Sequence, residues 1–526
     1  MPNRSSDTLF QLVKSLKKSE KRNFKLYVKR NTASEDLKII YLFDALDQLE
    51  VYDEVVLLKK NKQLSKQQLS NVKAHLYKQI LSSLRLIRSE QDIMIQLHEQ
   101  LDYAEILYNQ GLYLQSLKIL DRIKEGAREF HQYNNILETL FFEQKIEALH
   151  ITRSMQDRAG KLAADMQVVT EQILLAGTLS SLSLQLYGWY IQHGVARNEK
   201  DEVAVKVFFE SRLPARMPAV KGFYENLYLY QCYSWYAFIG QDFLSYYRYT
   251  HRWVELFDRE PAMITIETAH YIKGMHNLLG AHFDLLNYPR FVETLNRFEI
   301  FFNSGAVQEN DNNRIQTFVY LHIAKINQHF IDGTFTEGLA LVPFIEKKLK
   351  EYEIYLDRHR ILIFYYKFAS LYFGSGDYEK TIKYLNKIIN WKMDLRTDLQ
   401  CYSRLLHLIA HYELGNDSLL EYLIKSVYRF MAKMENLSKV EEEIFRFLRN
   451  SFKADPKEFK PEFSRLLETL KTYEKNRFET RAFVYLDIIS WLESKIREVP
   501  VQMIIREKFL ERNGKQVKLE PELGEP

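Results

Sequence analysis

Only two cysteines occur in 526 residues, Cys232 and Cys401, so a disulfide-stapled fold is excluded. Both fall inside apolar periodic segments and are expected to be buried, reduced thiols of a cytoplasmic protein. Glycine (18) and proline (11) are scarce, which disfavours an all-β chain full of tight turns. No phosphate-binding Gly-x-x-x-x-Gly-Lys loop, dinucleotide fingerprint or Gly-x-Ser-x-Gly elbow is present. No enzyme activity, cofactor or metal is therefore expected. The first residues lack an apolar core long enough for a secretory signal. Residues 172–196 contain no Asp, Glu, Lys or Arg, but Thr178, Ser180, Ser181, Ser183 and Gln185 would be costly in hydrocarbon. That stretch is expected to be a buried helix and its turn, and no membrane span is expected.

What is abundant favours helix. Hydrophobic residues make up 46% and charged residues 27%, with signs mixed and with long runs rich in Leu, Lys, Glu, Gln and Ala. A chain of this length exceeds what one compact core accommodates, so several domains or an elongated array is expected. The net charge of +4 conceals an uneven distribution. Residues 1–90 hold 18 basic against 10 acidic side chains, and residues 1–30 hold 9 against 2. Residues 1–90 read as a basic helical bundle, with Leu9, Leu12, Val13 and Leu16 on one face and Leu69, Val72, Leu76 and Ile80 on another. Ser19 is expected to cap a helix carrying Phe24, Tyr27 and Val28.

Along the body, apolar residues recur at helical spacing in pairs. Tyr365, Phe368, Ala369 and Tyr372 are followed by Gly376, after which Tyr378, Ile382, Leu385 and Ile388 resume the pattern. Equivalent punctuation recurs at Gly194, Gly240, Asn287, Gly333, Gly376 and Gly415, at intervals of 46, 47, 46, 43 and 39 residues. An earlier unit turns at Gly111, and the 83-residue gap to Gly194 leaves room for a turn near Asp157. The order Phe368, Ala369, Tyr372, Gly376, Asp377, Tyr378, Ile382 resembles the tetratricopeptide repeat, with Thr381 where that family prefers Ala. The wider spacing also keeps HEAT-type repeats open for the weaker units. The resemblance implies an all-α fold, a right-handed α-solenoid of about eight helix pairs with an N-terminal helical bundle. Its expected parts are the bundle (1–90), the repeat array (91–436), a C-terminal helical cap (437–511) and a disordered tail (512–526).

By the same resemblance, alignment on the turn glycines assigns Tyr108, Asn109, Asn327, Phe330, Tyr366, Ser370 and Phe373 to a concave peptide-binding groove. Rings and amides there would suit a polypeptide segment. Ile323 stands where a clamp for acidic chaperone tails needs Lys, so that mode is not expected. Lys14, Lys17, Lys18, Lys21, Arg22, Lys25, Lys29 and Arg30 form a basic patch, either a solvated face or a surface for phosphates or an acidic partner. His407 and His411 stand four apart, as in zinc hydrolases, but Leu408 replaces the required glutamate. His270, His276 and His282 should point to different helix faces. The expected function is a non-catalytic scaffold or adaptor that binds a protein or peptide. The alternative is a peptide-responsive regulator whose basic bundle contacts nucleic acid or a regulatory protein, a layout similar to that of bacterial regulators of the Rap and PlcR type.

Overall fold

The computed structural model describes residues 7–30, 36–60, 66–89, 92–150, 157–214, 220–353, 355–391, 397–434, 438–451, 459–479 and 487–516. Among them the chain is all-α, with no strand, as the scarcity of glycine and proline predicts. It divides into two compact units, residues 1–171 and 172–526. Of the expected disordered tail, residues 512–516 instead end the last helix, and residues 517–526 lie outside the described residues, as do residues 452–458.

In the first unit, α1 (Thr8–Ser15), α2 (Lys18–Arg30), α3 (Asp36–Gln48), α4 (Glu54–Lys60) and α5 (Lys66–Arg88) pack around Leu9, Val13, Phe24, Phe43, Leu76 and Ile80. The predicted faces of α1 and α5 are the buried ones, with Leu12 and Val72 half-buried at their margins. Ser19 is not a cap, because α2 begins one residue earlier. The Lys17 amide donates to Glu20 Oε2 at 2.8 Å instead. Then come α6 (Ile93–Asn109), α7 (Tyr113–Glu129), α8 (Tyr133–Leu149) and α9 (Arg158–His193), whose residues up to Glu171 count with this unit. Between α7 and α8 the buried Lys124 pairs with the buried Glu143, which also meets Arg158. Burial pushes the Lys124 ammonium below its usual range.

The second unit contains the rest of α9, then α10 (Glu199–Glu210), α11 (Phe223–Ile239), α12 (Phe243–Arg259), α13 (Met263–Ile266), α14 (Thr268–Asp284), α15 (Tyr288–Phe302) and α16 (Gly305–Gln308). It continues with α17 (Asp311–Asp332), α18 (Phe335–Gly338), α19 (Leu341–Glu351), α20 (Arg358–Ser375), α21 (Tyr378–Ile389), α22 (Thr397–Glu413) and α23 (Asp417–Lys433). The last four are α24 (Lys439–Ser451), α25 (Phe459–Lys471), α26 (Ile488–Arg497) and α27 (Val501–Gln516). Successive helices pack as neighbours: α11 on α12, α12 on α14, α14 on α15 and α17, α17 on α20, α20 on α21, and α21 on α22. The short connections between α11 and α12, α14 and α15, and α20 and α21 make each of those pairs antiparallel. The charge-free stretch at residues 172–196 is buried on one face only. Leu175, Leu179, Leu182 and Leu186 are enclosed, but Leu174 and Leu184 are 70% and 69% exposed. Thr178 donates to the Leu174 carbonyl at 2.8 Å, and Ser183 donates to Gln231 Oε1 of α11 at 3.3 Å. No helix among the described residues is long and apolar enough to cross a membrane.

The turns follow the sequence punctuation with two shifts. Gly111, Gly194, Gly333, Gly376 and Gly415 have positive φ, and so does Asp157. Gly240 does not; Gln241 takes the left-handed conformation, its amide donating to the Ala196 carbonyl at 2.7 Å. At the next turn Leu286 is left-handed, and Asn287 serves as N-cap, accepting from the Arg290 amide. An Asn can end one helix or begin the next, and capping prevails here.

The C-terminal helices fold back. Trp491 of α26 is buried among Tyr412 and Phe463 and donates to Glu413 of α22 at 2.5 Å. Three residues beyond α26, α27 begins and packs across α17 and α20. Arg506 donates to the Asp332 carbonyl at 3.0 Å, Thr336 donates to Gln502 at 2.9 Å, and the Phe509 ring meets Tyr288 edge-on at 4.7 Å.

Candidate functional site

Every second helix of the middle of this unit turns one face toward a common space. Residues of α9, α11, α14, α17, α20 and α22 line a cavity of about 1140 Å³, and α26 and α27 contribute to its wall. Five residues assigned to a groove from the sequence, Asn327, Phe330, Tyr366, Ser370 and Phe373, lie together in this lining. Tyr366 and Phe373 are buried, the other three half-buried. Tyr108 and Asn109 belong to the first unit and are not part of the lining. There Tyr108 is half-buried against Tyr113 and Phe142, at 5.6 and 5.5 Å, while Asn109 is exposed.

The lining is aromatic and, on one side, cationic. Tyr187, Tyr190, Trp235, Phe238 and Tyr320 join Phe330, Tyr366 and Phe373. Lys273 lies 5.4 Å from the Tyr320 ring centre and 5.9 Å from that of Trp235, and Arg360 lies 5.7 Å from Tyr320. His276 stacks on Tyr320, with ring centres 3.9 Å apart and planes 11° from parallel. Its burial, reinforced by Lys273, Lys367 and Arg360, holds the imidazole well below its ordinary range and therefore neutral at pH 7. Lys367 donates to Asn327 Oδ1 and sits 5.2 Å above the Phe330 ring. Burial pushes its ammonium down to about 8, partly opposed by Asp284. The sequence reading missed Lys273, Tyr320, Arg360 and Lys367. Only Lys367 carried a usable signal, as a lone cation in the apolar run "ILIFYYKFASLYF".

The remaining candidates fall elsewhere. His407 and His411 face each other edge-on at 4.5 Å on α22. Burial, followed by the neighbouring His411 and Arg404, pushes His407 down to about 4. Among the described residues, no group of three or more His, Cys, Asp or Glu side chains is placed to hold a metal. His270 lies near Tyr228 and Gln231, and His282 lies against Tyr247, so the α14 histidines do occupy different faces. Both cysteines are buried free thiols, and burial raises Cys232 to about 12.

The basic patch is divided by its own pairing. Lys21 and Lys25 bridge to Asp47 and Asp44 of α3, at 2.6 and 2.5 Å, and Lys14 donates to the Asp47 carbonyl at 2.6 Å. Lys17, Lys18, Arg22, Lys29 and Arg30 are exposed. Comparison with known proteins adds no assignment: no protein-family model matches the sequence, and no curated protein or solved structure matches it either.

Proposed function

We propose that the second unit is a tetratricopeptide-like, right-handed helical-repeat scaffold, and that its cavity holds a segment of another polypeptide without catalysing a reaction. One observation carries the reading. Alternate helices α11, α14, α17 and α20 line one space with rings and amides, and a helix of the same chain already rests on α17 and α20. A surface that accepts α27 through Phe509, Gln502 and Arg506 has the chemistry that binds amphipathic segments, apolar anchors flanked by backbone hydrogen bonds. Rings at such surfaces bury much area with little loss of side-chain freedom.

The test places a photo-crosslinking benzophenone amino acid at position 330 of the full chain in the source cell. A crosslink to a separate polypeptide that disappears in an Asn327→Ala background is the expected result. Crosslinks confined to α27 would overturn the proposal.

A further inference from the structure

We infer that the cavity is built to receive a carboxylate carried on an apolar or aromatic body, with Lys273, Arg360 and Lys367 meeting the anionic group. The inference rests on the cavity being a polypeptide-binding site and names the chemistry of the segment it selects. A free organic acid carries the same chemistry.

The lining carries positive charge that the protein compensates only in part. Lys367 has a neutral amide oxygen, that of Asn327, as its hydrogen-bond partner. Among the described residues no carboxylate lies within ion-pair distance of Lys273, which rests on the Trp235 and Tyr320 rings. Arg360 has one, Asp357 at 3.3 Å, but that carboxylate also caps α20 by accepting the Arg360 amide at 2.9 Å. The three cations lie close enough for each to depress the proton affinity of His276. Like charges gathered in one half-enclosed lining with few counter-ions are costly, and residues that weaken an empty site are common where a ligand supplies the missing partner.

The other charged groups facing Lys367 do not reverse this balance. From α14, Asp284 attracts it and Lys273 repels it. From α27 come Lys508, held by Glu493 at 2.7 Å, and Arg512. Asp487 of the same lining is engaged as the cap of α26, and Glu474 completes the set. A separate feature points the same way. The Ser234 hydroxyl lines the cavity, is buried, and has no hydrogen-bond partner among the described residues. An unsatisfied buried donor in the same lining as Lys273 and Lys367 is suited to an acceptor-only group such as a carboxylate. The surrounding rings would cover an apolar body, and displacing water from beside the cations would strengthen each ionic contact.

Isothermal titration calorimetry on the full chain tests this with two pairs of probes. One pair is acetyl-Phe-Glu-Leu-Glu-Phe-amide and its double Gln counterpart; the other is phenylbutyrate and phenylbutyramide. At least one acid should bind about tenfold or more tightly than its amide. At about pH 9, binding should also take up a proton, because an anion beside Lys367 raises its proton affinity. Lys367→Met should abolish the uptake, and Lys273→Gln, which leaves Lys367 in place, should lower acid affinity while retaining the uptake. If both peptides bind equally and phenylbutyrate binds no more tightly than its amide, the carboxylate site is overturned while the polypeptide reading stands. If phenylbutyrate is preferred over its amide and neither peptide binds, the site stands and the polypeptide reading fails. Absence of binding by all four at millimolar concentration, or an acid preference that survives Lys367→Met unchanged, overturns the inference.

Discussion

Gly333→Ala separates the contribution of α27 from that of the turn it rests on. Gly333 has φ of +72°, and a methyl group there would sit 2.5 Å from the Arg506 nitrogen, 2.8 Å from its Cα and 3.0 Å from the Gln502 carbonyl oxygen. These are backbone atoms of a helix and cannot rotate aside. Gly376 is the matched control, because its φ is +87° and nothing lies within 4 Å of the added carbon. The left-handed conformation alone costs an alanine about 1–2 kcal/mol, so Gly376→Ala should lose about that much stability. Gly333→Ala bears the same cost and must also push α27 away. That weakens the Arg506–Asp332 and Thr336–Gln502 hydrogen bonds, at about 1 kcal/mol each, and loosens Phe509 from its cluster. A total of about 3–5 kcal/mol is expected for Gly333→Ala from these contributions. Urea unfolding gives the totals, and amide hydrogen exchange locates the effect, with faster exchange expected across residues 501–516 only in Gly333→Ala. Equal losses in the two variants, with unchanged exchange in α27, would refute the close packing argued here.

Other perturbations test separate parts of the structure. Burial raises the Glu441 carboxyl to about 7, so its neutral form favours folding, and that stability is lost as pH rises through about 7. Glu441→Gln should therefore flatten stability between about pH 4.5 and pH 7 and gain about 1–3 kcal/mol at pH 8, measured by urea melts across pH. Glu143→Ala leaves Lys124 and Arg158 without their buried partner and should cost about 3–5 kcal/mol in unfolding free energy. The Lys124→Met, Glu143→Leu pair should recover part of that loss, since two matched apolar groups need no counter-charge while Arg158 keeps only Asp121. Replacing Lys18, Arg22, Lys29 and Arg30 by Gln should change stability by no more than about 0.5 kcal/mol. It should also reduce retention on heparin at low salt; an unchanged elution position would show that this face contributes no usable field.

Helix content and pairing were legible in the sequence because they depend on local order. Phe368, Ala369, Tyr372 and Tyr378 repeat at helical spacing around Gly376, and neither the pattern nor the left-handed turn needs a distant partner. Local reasoning went astray where two local roles compete. Asn287 could end a helix or cap the next, and Ser19 stands where the helix starts before it. The candidate site was half legible. Asn327, Phe330, Tyr366, Ser370 and Phe373 occupy one register on α17 and α20, which alignment on the turns recovers.

The cationic side of the cavity had no such register. Lys273, Arg360 and Lys367 come from two helices far apart in sequence; Lys273 and Arg360 each read as an ordinary surface cation, and Lys367, though alone in an apolar run, shows no partner in its own segment. The return of α27 was also invisible. Its sequence is strongly polar, and its docking rests on Phe509, Arg506 and the absence of a side chain at Gly333, some 170 residues earlier. The sequence alone determined that this chain is helical, where most helices turn, and which faces are apolar. Tertiary structure alone decided that the C-terminal helix lies across α17 and α20, and that Lys273, Arg360 and Lys367 line one cavity. Contacts between distant residues depend on the geometry of the whole stack, and no local window of sequence contains it.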